Sequence, residues 1–164
     1  DLSSTPLAEV ARQVAADLHA TAEHRQQRIV LCEPLAHGVR IPLPEPLARV
    51  LLRNLLDNAL RYSPEGAEVR LQVAEQDEGR AQLSVEDSGP GLTPEEQARL
   101  GERFFRVLGT GQSGSGLGWS IVQRIARLHH LQVRTDRSPA LGGLRVTVRW
   151  QHSSDSPKAK MLHF

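Results

Sequence analysis

The stretch GTGQSGSGLG, residues 109–118, runs directly into WSIVQRIARL, residues 119–128, whose apolar positions recur at helical spacing. Glycines let backbone approach an anion closely, and the start of a helix offers it unpaired N–H groups. The junction is therefore a candidate phosphate site, although the loop alone reads equally well as a flexible surface connection. No Gly-Lys-Ser/Thr closes it, which excludes a rigid cradle of the Walker type.

Working outward, two upstream clusters give the loop a context. On the helical stretch 47–61, Asn54 and Asn58 stand four residues apart and project from one face, with Arg61 and Tyr62 next along it. Two carboxamide oxygens on one face can ligate a hard cation such as Mg²⁺, which also keeps waters and phosphate oxygens in its shell. Arg61 can then reach phosphate oxygens and Tyr62 can stack on a base. Two asparagines facing water would serve a surface helix too, but asparagine is a poor helix former and the pair calls for a reason. The second cluster is Asp87-Ser88-Gly89-Pro90-Gly91, at the end of a strand-like run. A carboxylate there can accept from an exocyclic amine while the glycines let a flat ring lie on the backbone; the same residues also make a plain turn. Between the clusters and the loop, Arg103 and Arg106 flank Phe104-Phe105, a pair that can anchor a mobile segment spanning 101–116 or simply face the core.

The remaining elements follow from periodicity. Leu7, Val10, Val14 and Leu18 mark an amphipathic helix from Pro6 through His24. Short strands are expected at 28–32 and 39–41, and the helix 47–61 carries Leu47, Val50, Leu51, Leu55 and Ala59 on one side. A hairpin is expected from 68–74 and 80–85 around Asp77-Glu78-Gly79. Thr93-Pro94-Glu95-Glu96 starts a further helix. The last elements are a helix at 117–128 and strands at 131–135 and 144–150. Strands in antiparallel pairs between helices argue an α/β sandwich, with helices on one face of a mixed or antiparallel sheet. Residues 1–150 form one domain on this reading, and 151–164, polar and aperiodic, a flexible tail.

Composition sets outer limits. The chain has 164 residues, 39% hydrophobic, enough for a single core. A net charge of +1 and 4% aromatic residues argue against nucleic acid as a partner. Cys32 stands alone, so neither an internal disulfide nor a paired-cysteine zinc site can form. No apolar run approaches the roughly 18 residues that span a bilayer, and the opening DLSSTPLAEV lacks a signal pattern.

Four motifs in this order resemble the catalytic, ATP-binding domain of bacterial two-component sensor histidine kinases, within the wider GHKL ATPase family. RNLLDNALRYSPEG (53–66) is similar to that family's N box, and VEDSGPGL (85–92) to its first glycine box. GERFFRV (101–107) is similar to its F box, and GSGLGWSIVQRIARLHH (114–130) to its second glycine box. The likeness covers roughly residues 6–150 and is nearest in look to the membrane kinases of the QseC and PmrB types. It implies the Bergerat fold, with a mostly antiparallel sheet, helices packed on one face and a flexible ATP lid.

The resemblance further implies Asn54 and Asn58 for Mg²⁺ and phosphate, Arg61 for phosphate and Tyr62 stacked on adenine. Asp87 would accept from the adenine amino group, with Gly89 and Gly91 shaping the pocket floor. Arg106, together with Gly114, Ser115, Gly116, Leu117 and Gly118, would hold the triphosphate, while residues 109–113 lend the lid its mobility. Asn54 and Arg106 carry the catalytic assignment, by positioning and charge neutralisation. Such kinases pass the γ-phosphate to a histidine on a dimerisation domain and onward to a response regulator. They do so as membrane-bound homodimers whose catalytic domain is cytoplasmic at a bacterial inner membrane. None of the seven histidines has the acceptor's sequence context; His19 and His24 fall on the solvated face of the first helix, and His129 and His130 end the helix after the loop.

Two alternatives remain at this stage. Hydrolysing members of the wider family use a glutamate where this chain has Asn54, which cannot act as a general base, although Asp57 is close by. A pseudokinase or interaction module would be expected to lose Asp87 or the glycine loop, and neither is lost. The chain departs from the family pattern twice. Trp119 stands where a leucine is usual, and Leu144 follows Gly142-Gly143 where a threonine or serine is usual, which puts a hydroxyl contact from that strand in doubt.

Overall fold

The computed structural model describes residues 3–33, 35–89, 93–99 and 117–152. Its elements are β1 (Thr5–Pro6), α1 (Leu7–His24), β2 (Arg28–Leu31), β3 (Arg40–Ile41), α2 (Glu45–Tyr62), β4 (Glu68–Glu75) and β5 (Arg80–Asp87), then α3 (Pro94–Arg99), α4 (Leu117–Leu128), β6 (Gln132–Arg137) and β7 (Leu144–Gln151). Five strands form one sheet in the order β2-β4-β5-β7-β6, and β1 pairs with β3 in a separate two-stranded ribbon. The expected α/β sandwich is what forms, with α1, α2 and α4 covering the sheet on one face.

The pleat sorts the sheet's residues. Val69, Leu71 and Val73 of β4, Ala81, Leu83 and Val85 of β5, and Val146, Val148 and Trp150 of β7 are buried, while their alternates point to the opposite, polar face. Onto the apolar side α1 lays Leu7, Val10, Ala11, Val14, Leu18 and Ala22. His19 and His24 are exposed, as the periodicity requires.

Three expectations need correction. Strand β2 is not part of an antiparallel pair: it runs parallel to β4, with Arg28 opposite Glu68 and Leu31 opposite Leu71. The chain between them passes through α2, and a crossover helix returns it in the same direction. Nor does 39–41 join the main sheet, because Arg40 and Ile41 pair with Pro6 and Thr5, a strand of two residues that periodicity does not reveal. Val50 lies outside the core at 39% exposure, and the buried face of α2 is instead Ala48, Leu51, Leu52, Leu55, Leu56, Ala59 and Leu60. Wedged between α1 and α4 over the sheet, α2 needs a broad apolar face, and Val50 falls beyond its edge.

Boundaries moved little. Helix α2 starts two residues early at Glu45, with Pro46 in its first turn, where the missing N–H has no intrahelical partner to lose. Strand β7 runs on to Gln151, opposite Arg80, and the next residue is also tied: His152 N donates to Gly79 O at 2.6 Å, and its Nε2 accepts from Arg40 N at 3.2 Å. Helix α3 begins after Thr93 as expected. The lid segment 101–116 lies outside the described residues.

Candidate functional site

The site lies where α2, α4 and the paired ends of β5 and β7 meet. What fixes α2 there is partly Gln27, buried at the end of the turn after α1. Its Nε2 donates to Leu60 O at 2.7 Å and Ser63 O at 3.0 Å, satisfying carbonyls at the helix C-terminus. Arg25 Nη1 donates to the same Leu60 carbonyl. This clamp sets the axial position of Asn54, Asn58 and Tyr62, which follow one another at four-residue steps.

Helix α4 presses on that face through Gly118. A methyl group at this position would lie 2.9 Å from Asn54 Oδ1 and 3.0 Å from Asn58 Oδ1, so two carboxamide oxygens converge on the first turn of α4. Asn54 Nδ2 donates back to Val50 O at 2.8 Å, which aims its oxygen outward from α2. Asn58 Nδ2 is buried and has no hydrogen-bond partner among the described residues. The first turn of α4 carries no acidic residue that would compete for its N–H groups. Oxygen donors beside a helix N-terminus fit a cation bridged to phosphate. Among the described residues, no three His, Cys, Asp or Glu side chains converge as metal ligands, so such a cation would take most of its shell from phosphate and water.

Asp87 closes β5 and is 3% exposed. Its Oδ1 accepts from Gly89 N at 2.9 Å and Leu144 N at 3.2 Å, while its carbonyl accepts from Gly143 N at 3.1 Å. Burial raises its pKa above the ordinary aspartate value, and the two backbone N–H bonds oppose that rise. Gly143 is obligatory for this geometry: a methyl group there would sit 2.2 Å from both the Asp87 carbonyl oxygen and Oδ1. One at Gly89 would come within 3.1 Å of Asp87 Oδ1 and 3.2 Å of Ser63 Cα. Leu144, whose lack of a hydroxyl had weakened the motif, contributes through its backbone instead.

Asn58, Tyr62 and Asp87 share a pocket with Leu55, Ala59, Val85, Trp119, Leu144 and Val146, enclosing about 20 Å³. The lining, apolar walls with one buried carboxylate, suits a flat heterocycle bearing an amine, while the enclosed space is that of a single water, so the walls must part to admit a base. Trp119 is 5% exposed and belongs to this wall, so the residue that departs from the motif faces the site rather than a remote interface. Arg61 is held beside the site by Asp57, Nε to Oδ2 2.9 Å. Leu117 opens α4. Gly91, Arg106, Gly114, Ser115 and Gly116 lie outside the described residues, as does the Leu117 side chain. Sequence reasoning missed Gly143 and Leu144 as parts of the Asp87 support; the Gly142-Gly143 pair was the available signal.

Residues 44–154 match the family described as histidine kinase-, DNA gyrase B- and HSP90-like ATPase, and the chain belongs to that family. It is 39% identical over 150 residues to the sensor protein QseC of Escherichia coli (strain K12), covering 92% of this chain and 32% of that protein. The chain therefore spans about a third of the length of the curated relatives it matches. Among solved structures it is similar to the mycobacterial sensor histidine kinase MprB, with a TM-score of 0.76, 26% identity and coverage of 89% of this chain and 95% of that one. Full-length ShkA in complex with AMPPNP gives a TM-score of 0.75 at 27% identity, over 95% of this chain and 32% of that one.

Proposed function

We propose that this chain is the nucleotide-binding catalytic domain of a sensor histidine kinase, the unit ending with β7, which takes Mg-ATP and donates its γ-phosphate to a histidine on a separate dimerisation domain. The observation that carries the reading is Asp87: a buried carboxylate, oriented by two backbone N–H groups, in an apolar pocket beside Tyr62. Asp87 accepts from the base amine, and Tyr62 lies against the ring. Asn54 and Asn58 present oxygens toward the α4 N-terminus, where the phosphates sit, with Gly118 permitting the approach. Mg²⁺, when bound, neutralises charge on the phosphate oxygens. Arg61 shares itself between Asp57 and phosphate; the motif pattern assigns Arg106 and residues 114–117 to the triphosphate and Gly91 to the pocket floor. The ShkA complex with AMPPNP supports a nucleotide in this fold.

Transfer is favoured over hydrolysis. Asn54 cannot take a proton from water, and Asp57, three residues along the same helix, is engaged by Arg61. The likeness to the sensor protein QseC, whose cytoplasmic segment has a similar structure, supports a sensor kinase. A cognate response regulator as the downstream acceptor and a membrane-bound homodimer as the whole protein follow from the motif resemblance alone. None of the helices among the described residues is long and apolar enough to cross a membrane.

Calorimetry with ADP and Mg²⁺ on the parent and Asp87→Ala tests the reading. Binding by the parent that is lost in Asp87→Ala supports it; equal binding by both, or by neither, overturns it. With ATP the isolated chain should label no histidine of its own, and strong self-labelling would refute the separate-acceptor scheme.

A further inference from the structure

Two tryptophans of this chain are equally buried, at 5% exposure, yet their indole N–H groups fare differently. Trp150 Nε1 donates to Arg40 O at 2.9 Å, whereas Trp119 Nε1 is buried without a hydrogen-bond partner among the described residues. Folded proteins rarely leave a buried donor unpaired, and each one that stays so calls for an explanation, a functional role among them. The orphan sits on a side chain that forms a wall of the pocket holding Asp87, and Asn58, whose Nδ2 is unpaired as well, forms another. One pocket thus offers a fixed acceptor and two donors that no described residue bonds. Trp119 is also placed with little freedom. It follows Gly118, whose contact with Asn54 and Asn58 sets the depth of α4, and its ring is packed among core side chains.

We infer that Trp119 is a base-reading residue: its indole forms the wall on which a purine lies, and its Nε1–H donates to a ring nitrogen of the base whose amine Asp87 holds. A leucine in this position would supply the apolar wall without the donor. The inference rests on the proposed nucleotide site and adds to it a polar contact that the motif pattern does not contain. Adenine matches the pocket because it presents an amine to the carboxylate and bare ring nitrogens to the donors.

The full chain with Mg²⁺ provides the test. Trp119→Phe keeps an aromatic wall and removes the N–H; ADP should bind it about 10-fold more weakly, which is about 1.4 kcal/mol. ADP analogues with N1, N3 or N7 replaced by carbon locate the contact. One of the three should bind the parent about 10-fold more weakly than ADP and show no further loss in Trp119→Phe. A measurement on the unaltered indole covers the case in which that variant does not fold. In proton-nitrogen spectra, with the second indole signal assigned by Trp150→Phe, the Trp119 Nε1–H resonance should move on adding ADP or adenosine. It should stay in place with magnesium tripolyphosphate. Unchanged ADP affinity in Trp119→Phe, the same parent-to-variant ratio for all three analogues, or an indole signal indifferent to adenosine would each overturn the inference. If the parent binds ADP and Asp87→Ala does not, such a result removes only the role of Trp119; a parent that binds no ADP removes the nucleotide site itself.

Discussion

On the outer face of the sheet Asp136, Arg145, Glu86 and Arg70 lie side by side across β6, β7, β5 and β4, and Glu68 meets both Arg28 and Arg70. On the helical side, among the described residues, Asp87 meets only backbone N–H groups, Asn54 and Asn58 turn their oxygens toward a glycine, and Trp119 and Asn58 each keep a donor unpaired. The outer groups are partly exposed and answer one another, so they add modest stability and offer a ligand little. On the inner side Asp87, the Trp119 indole and the Asn58 amide nitrogen are buried and answered incompletely, which lowers stability but leaves bonding capacity aimed into one pocket. A site is recognisable here by what the fold fails to satisfy more than by how many polar residues it gathers.

The sharpest way to break this contrast is Gly143→Ala. Its methyl group would meet two Asp87 oxygens at 2.2 Å, one of them main chain, so β7 or the Asp87 turn must shift. Loss of about 1–3 kcal/mol of stability is expected in denaturant titration, as for other overpacked buried sites, with ADP binding beyond detection in calorimetry. Retained affinity would mean that the Asp87 support is not as rigid as its hydrogen bonds imply.

Asp87→Asn should separate function from stability. A neutral isostere can still accept from Gly89 and Leu144 but turns an amide toward the base amine, so ADP affinity should fall about 100-fold, or about 2.7 kcal/mol. Stability without nucleotide should hold or rise near neutral pH, because the variant no longer buries a carboxylate. The sign follows from linkage. The Asp87 pKa is raised in the folded state, so between the ordinary aspartate value and that raised value the native protein binds more protons than the unfolded chain. The parent must then lose stability relative to Asp87→Asn as pH rises through that window, with the difference constant above it. Glu68 and Asp136 on the outer face have the opposite slope: hydrogen bonds from Arg70 and Arg145 lower their pKa values, and their contribution is lost as pH falls. Thermal melts at several pH values, parent against variant, read the two slopes apart.

What the sequence made legible follows the range of the contacts involved. Asn54 and Asn58 were visible because a four-residue step is local helical geometry, and Asp87 because a strand end followed by glycines is a local pattern. The bond from Leu144 N to Asp87 spans 57 residues, and the parallel pairing of β2 with β4 depends on how α2 crosses the sheet. Neither leaves a periodic trace. Val50 was misassigned because a stripe one residue wide was fitted to a helix covered on two sides, while Arg61 with Asp57 had the spacing of an ion pair and was read only as a phosphate ligand.

Gly118→Ala sharpens the comparison further, since it should improve the helix and weaken the site. Alanine favours a helix over glycine by about 1 kcal/mol. The atoms it would crowd are the free ends of Asn54 and Asn58 side chains, which can swing away. The melting temperature should stay level or rise, and ADP affinity should fall about 10-fold, with a smaller loss for adenosine, because Asn54 serves only the phosphate end while Asn58 also lines the base pocket. Equal losses for both ligands would place both asparagines on the base instead.

The smallest effect is expected on the outer face. Arg145→Gln removes the pairs with Asp136 and Glu86, both partly exposed, and should cost no more than about 1 kcal/mol after solvent screening. Its informative readout is ADP affinity. Arg145 is the chain neighbour of Leu144, whose N–H orients Asp87, but successive residues of a strand face opposite sides and the ladder from β5 to β7 is held by backbone bonds that the substitution leaves alone. Affinity within twofold of the parent therefore means that β7 isolates the two faces from each other. A tenfold loss would mean that charge pairing on the far side sets the strand position on which the Asp87 carboxylate depends, and the two faces would then form one mechanical unit.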